Sequence, residues 1–292
     1  MPHPARRLRR TLAAALAASA VAALGLTAQP AQAADPVTYV ALGDSYSAGS
    51  GVSPTDLSSP LCLRSQANYP KVIAARIGAQ LTDVTCGAAQ TKHFTQSQYP
   101  TVAPQVNALS TDTDLVTFTI GGNDNSTFIG ALLACGSAGL VTAGYGNPCQ
   151  TLYGSKFTDA IDDTTYPALK SALAAVKAKA PNARIAVLGY PWITPATFDS
   201  TCFAKLPIAR GDIPYLRGLQ GHLNDTLARA ARESGATYVD FAQVSEGHDA
   251  CKASGTRWIE PVIGGNSLVP VHPNALGESR MADRTMAVLG LG

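Results

Sequence analysis

Five short runs rich in apolar and β-branched residues alternate along this chain with helix-like stretches, and that alternation leaves few folds open. The strand-like runs cover residues 38–42, 81–85, 114–120, 184–188 and 237–241. Residues 71–77, 167–179 and 213–233 read as helices. In the last of these, Leu216, Leu219, Leu223 and Leu227 recur at spacings of three and four, which places them on one helical face. Short strands separated by helices pair in parallel through crossovers, with helices on both faces of the sheet. The pattern therefore predicts an α/β fold, a three-layer α/β/α sandwich around a parallel sheet of about five strands. In such folds function sits beyond the carboxyl ends of the strands. Long loops rich in Gly, Pro and Ser, at residues 49–68, 136–150, 189–212 and 243–271, are placed to build a binding rim there.

Ahead of the first run, Arg6, Arg7, Arg9 and Arg10 precede an apolar stretch from Leu12 to Leu26, and Ala31-Gln32-Ala33 offers a small-residue cleavage site. That is the layout of an export leader over residues 1–33, with an apolar core too short to span a bilayer comfortably. The paired arginines leave both the general and the twin-arginine export routes open. Without the leader's four arginines, the 22 basic residues fall to 18 against 20 acidic ones. Residues 34–292 thus carry no basic patch suited to nucleic acid or an anionic membrane. Their length fits a single domain with a well-buried core. Six cysteines with no C-x-x-C pair and no nearby histidine cluster read as three disulfides rather than a metal site. Spacing alone leaves about 15 pairings open. The expectation is an extracellular monomer with no stable membrane anchor, no metal and no cofactor.

Three short motifs carry chemistry. The first run ends in Gly43-Asp44-Ser45-Tyr46, the third in Gly121-Gly122-Asn123-Asp124, and His272-Pro273-Asn274 stands near the C-terminus. Either glycine-bearing motif alone is ordinary turn chemistry. A serine hydroxyl, however, needs a base within hydrogen-bond reach to act as a nucleophile, and histidine is the usual one. Residues 34–292 offer His93, His222, His248 and His272. His222 falls between two leucines of the amphipathic helix and His93 in a polar segment, both structural or solvated settings. His248 is the rival, since Asp249 beside it is placed to orient it, although neighbouring Cys251 gives that loop an equally good structural role. His272 precedes Pro273, which suits the first position of a closing helix, so the histidine would sit at a loop tip facing the serine.

Taken in order, these motifs resemble the SGNH (GDSL) family of ester hydrolases over nearly the whole chain after the leader. The resemblance implies a flavodoxin-like fold, Ser45 as nucleophile and His272 as base. It implies an oxyanion hole built from the Ser45 N–H, the N–H of Gly87 in Cys86-Gly87-Ala88-Ala89, and the Asn123 amide. It also implies that the cysteines pair with sequence neighbours: Cys62 with Cys86, Cys135 with Cys149, and Cys202 with Cys251. One position departs from the family pattern, which places an aspartate three residues before the histidine; here that residue is Val269. Some secreted members use a main-chain carbonyl instead, so the Pro270 or Val269 carbonyl is expected to orient His272 in a Ser–His dyad. Asp44 is expected to fix the turn rather than act in chemistry. The function implied is a cofactor-free carboxylic ester hydrolase, a lipase or esterase, that takes lipid-type acyl esters through an acyl-enzyme. Phospholipase A or deacetylase activity on a polysaccharide or small molecule uses the same motifs, and a non-catalytic wall-binding module is the remaining alternative. Tyr190, Trp192, Phe198, Phe203, Leu206 and Ile208 either line an apolar groove or pack beneath their loop.

Overall fold

The computed structural model describes residues 35–292 apart from residue 199; the leader expected over residues 1–33 lies outside the described residues. Five parallel strands form one sheet in the order β2-β1-β3-β4-β5. They are β1 (Thr38–Ala41), β2 (Gln80–Asp83), β3 (Leu115–Phe118), β4 (Arg184–Leu188) and β5 (Thr237–Val239). The inner strands β1, β3 and β4 are buried almost throughout, because both faces are covered, and so they read as unbroken apolar runs. Edge strand β2 instead alternates between exposed and half-buried positions.

Among the described residues eight α-helices surround the sheet: α1 (Ser45–Ala48), α2 (Tyr69–Ile77), α3 (Thr127–Val141), α4 (Pro148–Tyr153), α5 (Lys156–Ala160), α6 (Tyr166–Lys179), α7 (Ile213–Glu233) and α8 (Ala275–Leu289). A π-helical turn, Ile161–Thr165, joins α5 to α6. Helix α2 packs against α8 and α6 against α7, which gives a helical layer on each face of the sheet. The four leucines of α7 at positions 216, 219, 223 and 227 are all buried.

Two expectations need correction. Residues 136–150 are largely helical, because α3 runs on to Val141 and α4 begins at Pro148. Gly139 signals a close approach rather than a turn: a Cβ there would come within 2.3 Å of the Pro207 carbonyl oxygen. The closing helix begins after Pro273, not at it, since Asn274 is its N-cap and accepts from the Gly277 N–H.

The chain leaves β1 toward β2 and leaves β3 toward β4, so the connections diverge between the carboxyl ends of β1 and β3. Doubly wound sheets bind ligands in that crevice. Three disulfides cross-link the segments that follow the strands: Cys62–Cys86, Cys135–Cys149, which joins α3 to α4, and Cys202–Cys251.

Candidate active site

Gly43 turns the chain out of β1 with φ +119°, and a Cβ at this position would lie 2.5 Å from the Thr119 carbonyl oxygen. Only glycine fits this turn. Gln105 clamps the turn from both sides, accepting from the Gly43 N–H at 2.6 Å and donating to its carbonyl at 3.0 Å. The Asp44 carboxylate accepts from the Tyr46 N–H, the Thr119 hydroxyl and the Tyr190 hydroxyl at 3.0, 2.6 and 2.5 Å. Burial pushes its pKa up to about 6, against the opposing pull of the hydrogen bonds from Thr119, Tyr190 and Tyr46. Asp44 therefore holds the turn, while Ser45 begins α1 with its hydroxyl turned toward His272.

His272 Nε2 lies 2.7 Å from Ser45 Oγ, and His272 Nδ1 lies 2.7 Å from the Pro270 carbonyl oxygen. A carbonyl only accepts, so Nδ1 carries the proton and bare Nε2 faces the serine hydroxyl. Of the two carbonyls expected to orient the ring, it is that of Pro270, and not that of Val269, which accepts. Burial holds the His272 pKa below the usual histidine value, and the Pro270 hydrogen bond opposes this only in part. Val271, between the carbonyl and the base, has φ +54°, which a β-branched residue adopts only when its surroundings enforce it. Three hydrogen bonds do so. Tyr46 Oη donates to the Val271 carbonyl at 2.6 Å, and the Val271 and Glu260 N–H groups donate to the Glu260 and His272 carbonyls, each at 2.9 Å. The Glu260 side chain in turn pairs with buried Arg257 at 2.8 Å and accepts from the α8 cap, Asn274, at 2.9 Å.

The other histidines are occupied elsewhere. His93 accepts from the Gln90 N–H, His222 meets Asp162 on the surface, and His248 stacks on Trp258 with Nδ1 directed at the Thr256 carbonyl. Asn123, after β3, lines the same crevice as Ser45 and His272, and its Nδ2 donates to the Ala89 carbonyl at 3.1 Å. Gly87 requires a correction. Its N–H already donates to the Cys62 carbonyl at 2.8 Å, next to the Cys62–Cys86 bridge, so it is not free for an oxyanion. Its neighbour Ala88 is exposed, takes φ +61°, and has an N–H with no acceptor among the described residues. The Ser45 N–H is also free, as expected at the first position of a helix.

Beyond the crevice, Ile129, Leu132, Val271 and His272 also form the inner end of an apolar groove of about 370 Å³. Leu133 and Leu140 of α3 form one wall, and Val262 with Val269 the other. Of the loop residues weighed as lining, Tyr190 reaches the crevice and Ile208 the groove. Trp192 instead lies under Arg217 at 3.9 Å, and Leu206 is fully buried. Sequence reasoning missed α3 as the main wall and Tyr46 as the support of the histidine loop. Among the described residues no group of three acidic, histidine or cysteine side chains is placed to hold a metal ion, and no helix is long and apolar enough to cross a membrane.

Residues 41–280 match the model of the GDSL-like Lipase/Acylhydrolase family. Lipase 2 of Streptomyces coelicolor is 66% identical over 296 residues, covering the whole of both chains. Phospholipase A1 from Streptomyces albidoflavus NA297 superposes with a TM-score of 0.71 at 30% identity, over 87% of this chain and 98% of that one. The extracellular lipase of Streptomyces rimosus superposes equally well, with a TM-score of 0.71 at 28% identity and the same coverage. The sheet order, the nucleophile turn and these matches lead to one conclusion: the chain belongs to the GDSL-like lipase/acylhydrolase family and is a carboxylic ester hydrolase.

Proposed function

We propose that Ser45 and His272 form a catalytic dyad that cleaves lipid-type acyl esters through an acyl-enzyme. As Ser45 Oγ bonds to the ester carbonyl carbon, its proton passes to His272 Nε2. The negative charge on the carbonyl oxygen is met by the Ser45 N–H, Asn123 Nδ2 and, in place of Gly87, the Ala88 N–H. The C–O bond then breaks, and His272 Nε2–H protonates the departing alkoxide. Water attacks the acyl-serine with His272 as base, and Ser45 leaves with the proton. The acyl chain lies along the groove beside α3, whose volume falls within the ~300–1,000 Å³ usual for small-molecule pockets. The observation that carries this reading is the 2.7 Å Ser45–His272 contact at the inner end of an apolar groove. On the same reading residues 1–33 direct export, residues 34–292 form the single catalytic domain, and the three disulfides suit an extracellular location.

The test is hydrolysis by the purified protein of p-nitrophenyl esters from acetyl to palmitoyl, beside an acetylated xylan and phosphatidylcholine. The phospholipid belongs in the panel because the 30%-identical relative from S. albidoflavus is a phospholipase A1. Activity is expected to rise beyond acetyl, and Ser45→Ala is expected to abolish both turnover and fluorophosphonate labelling. Preference for the acetylated sugar, or labelling of another serine, would overturn the assignment.

A further inference from the structure

The groove's two walls share a property that catalysis does not require. Residues 125–155, which contain α3 and α4, include no Asp, Glu, Lys or Arg, and neither do residues 261–271. Eight of the eleven large apolar side chains that stand exposed among the described residues belong to these two segments. On one side of the groove mouth are Leu133, Leu140 and Val141, with Leu152 of α4 beside them across a second surface hollow that touches α3. On the other side are Val262, with Ile263 next to it in the chain, and Leu268, 100% exposed, next to the groove-lining Val269. Scattered apolar residues on a surface need no explanation, whereas a contiguous uncharged apolar rim marks an interaction site.

We propose that this rim docks the enzyme onto an uncharged or zwitterionic lipid surface, with the groove mouth facing the acyl layer. The proposal rests on the acyl-groove reading above and extends it from the single ester to the assembly that presents it. The groove opens within the patch, so whatever covers the patch must pass an acyl chain inward; a second copy seated there would close the route to His272. A lipid layer alone both covers the rim and supplies the chain. Without charge on either wall, anchoring comes from apolar burial, not from pairing with headgroups. The Cys135–Cys149 bridge ties α3 to α4, so one side of the rim is formed in advance and docking need not order it.

The experiment uses the Ser45→Ala protein, which leaves the lipid intact, and measures co-sedimentation with phosphatidylcholine vesicles, with and without phosphatidylglycerol. Binding to pure phosphatidylcholine is expected, and it should change by less than about twofold when salt is raised to about 0.5 M, where surface charge is screened within a few ångströms. The triple variant Val141→Ser/Leu152→Ser/Leu268→Ser touches no groove-lining residue. It should lower vesicle binding by about tenfold or more, since each side chain contributes apolar burial. In the Ser45-containing protein the same three substitutions should leave kcat/KM on dissolved p-nitrophenyl butyrate within about twofold. Three results overturn the proposal: no binding to phosphatidylcholine, binding that needs phosphatidylglycerol and is lost in salt, or a concentration-dependent dimer in sedimentation equilibrium that the triple variant dissociates. Failure of the Ser45-containing protein to hydrolyse dissolved butyrate would instead sink the catalytic reading, and the two failures are read separately.

Discussion

His272 faces a main-chain carbonyl where a carboxylate more often stands. The Pro270 oxygen selects the tautomer that leaves Nε2 bare, but it offers the imidazolium a dipole and not a counter-charge. No carboxylate should then be essential as an orienting partner. Asp249→Asn and Glu260→Gln are each expected to keep kcat within about tenfold, against the ~10⁴ lost when a true triad aspartate is neutralised. Glu260→Gln should nevertheless lower the melting temperature, because it leaves Arg257 buried without its partner. A kcat collapse in either well-folded variant would mean that a triad acid exists. The pH profile follows from the same residue. On the dyad reading neutral imidazole is the base, and burial favours the neutral form, so activity should fall only as pH drops through a pKa below 6.5, and the acid limb of kcat/KM should lie under that value. A limb centred above pH 7 would contradict the buried, carbonyl-held ring. Ser45, Asn123 and His272, which line one crevice, could be picked out as candidates because each stands in a short motif at an element boundary. The proposed donor Ala88 could not be picked out in the same way, since a left-handed turn position is expected of the glycine beside it. Nor could Tyr46 as the support of Val271, since 225 residues separate the two.

At the scale of elements, α3 and α7 make opposite cases. Helix α7 was readable because its leucines occupy one face and polar residues the other. Helix α3 carries no such stripe: it is apolar on the groove side and on the exposed side alike, and its three glycines imitate loop chemistry. The glycines of the two helices should respond differently to a methyl group. Gly218, exposed in α7 with nothing within 4 Å of its would-be Cβ, should accept alanine and gain up to about 1 kcal/mol from helix propensity. In α3, Gly139→Ala should destabilise instead, because backbone atoms of Pro207 and Ala209 lie 2.3 and 2.8 Å from the added carbon. Thermal or urea denaturation of the two variants checks the pair, and a stabilised Gly139→Ala protein would show that the segment at Pro207 does not press on α3.

For the molecule as a whole, strand number, parallel pairing and layer order were all present in the alternation of the chain, since those depend on local pattern and crossover handedness. The meeting of β1 and β3 at the switch point was not, because neighbouring strands in the sheet need not be neighbours in sequence. The same long-range closure assembles the dyad. Ser45 and His272 are 227 residues apart, and the histidine stands just before α8, the last helix, which packs against α2, the helix that follows α1 and its loop. A polypeptide interrupted before residue 272 thus carries the proposed nucleophile without its proposed base. On the dyad reading, ester hydrolysis waits on the last segment of the chain, because only its docking brings the base to the serine.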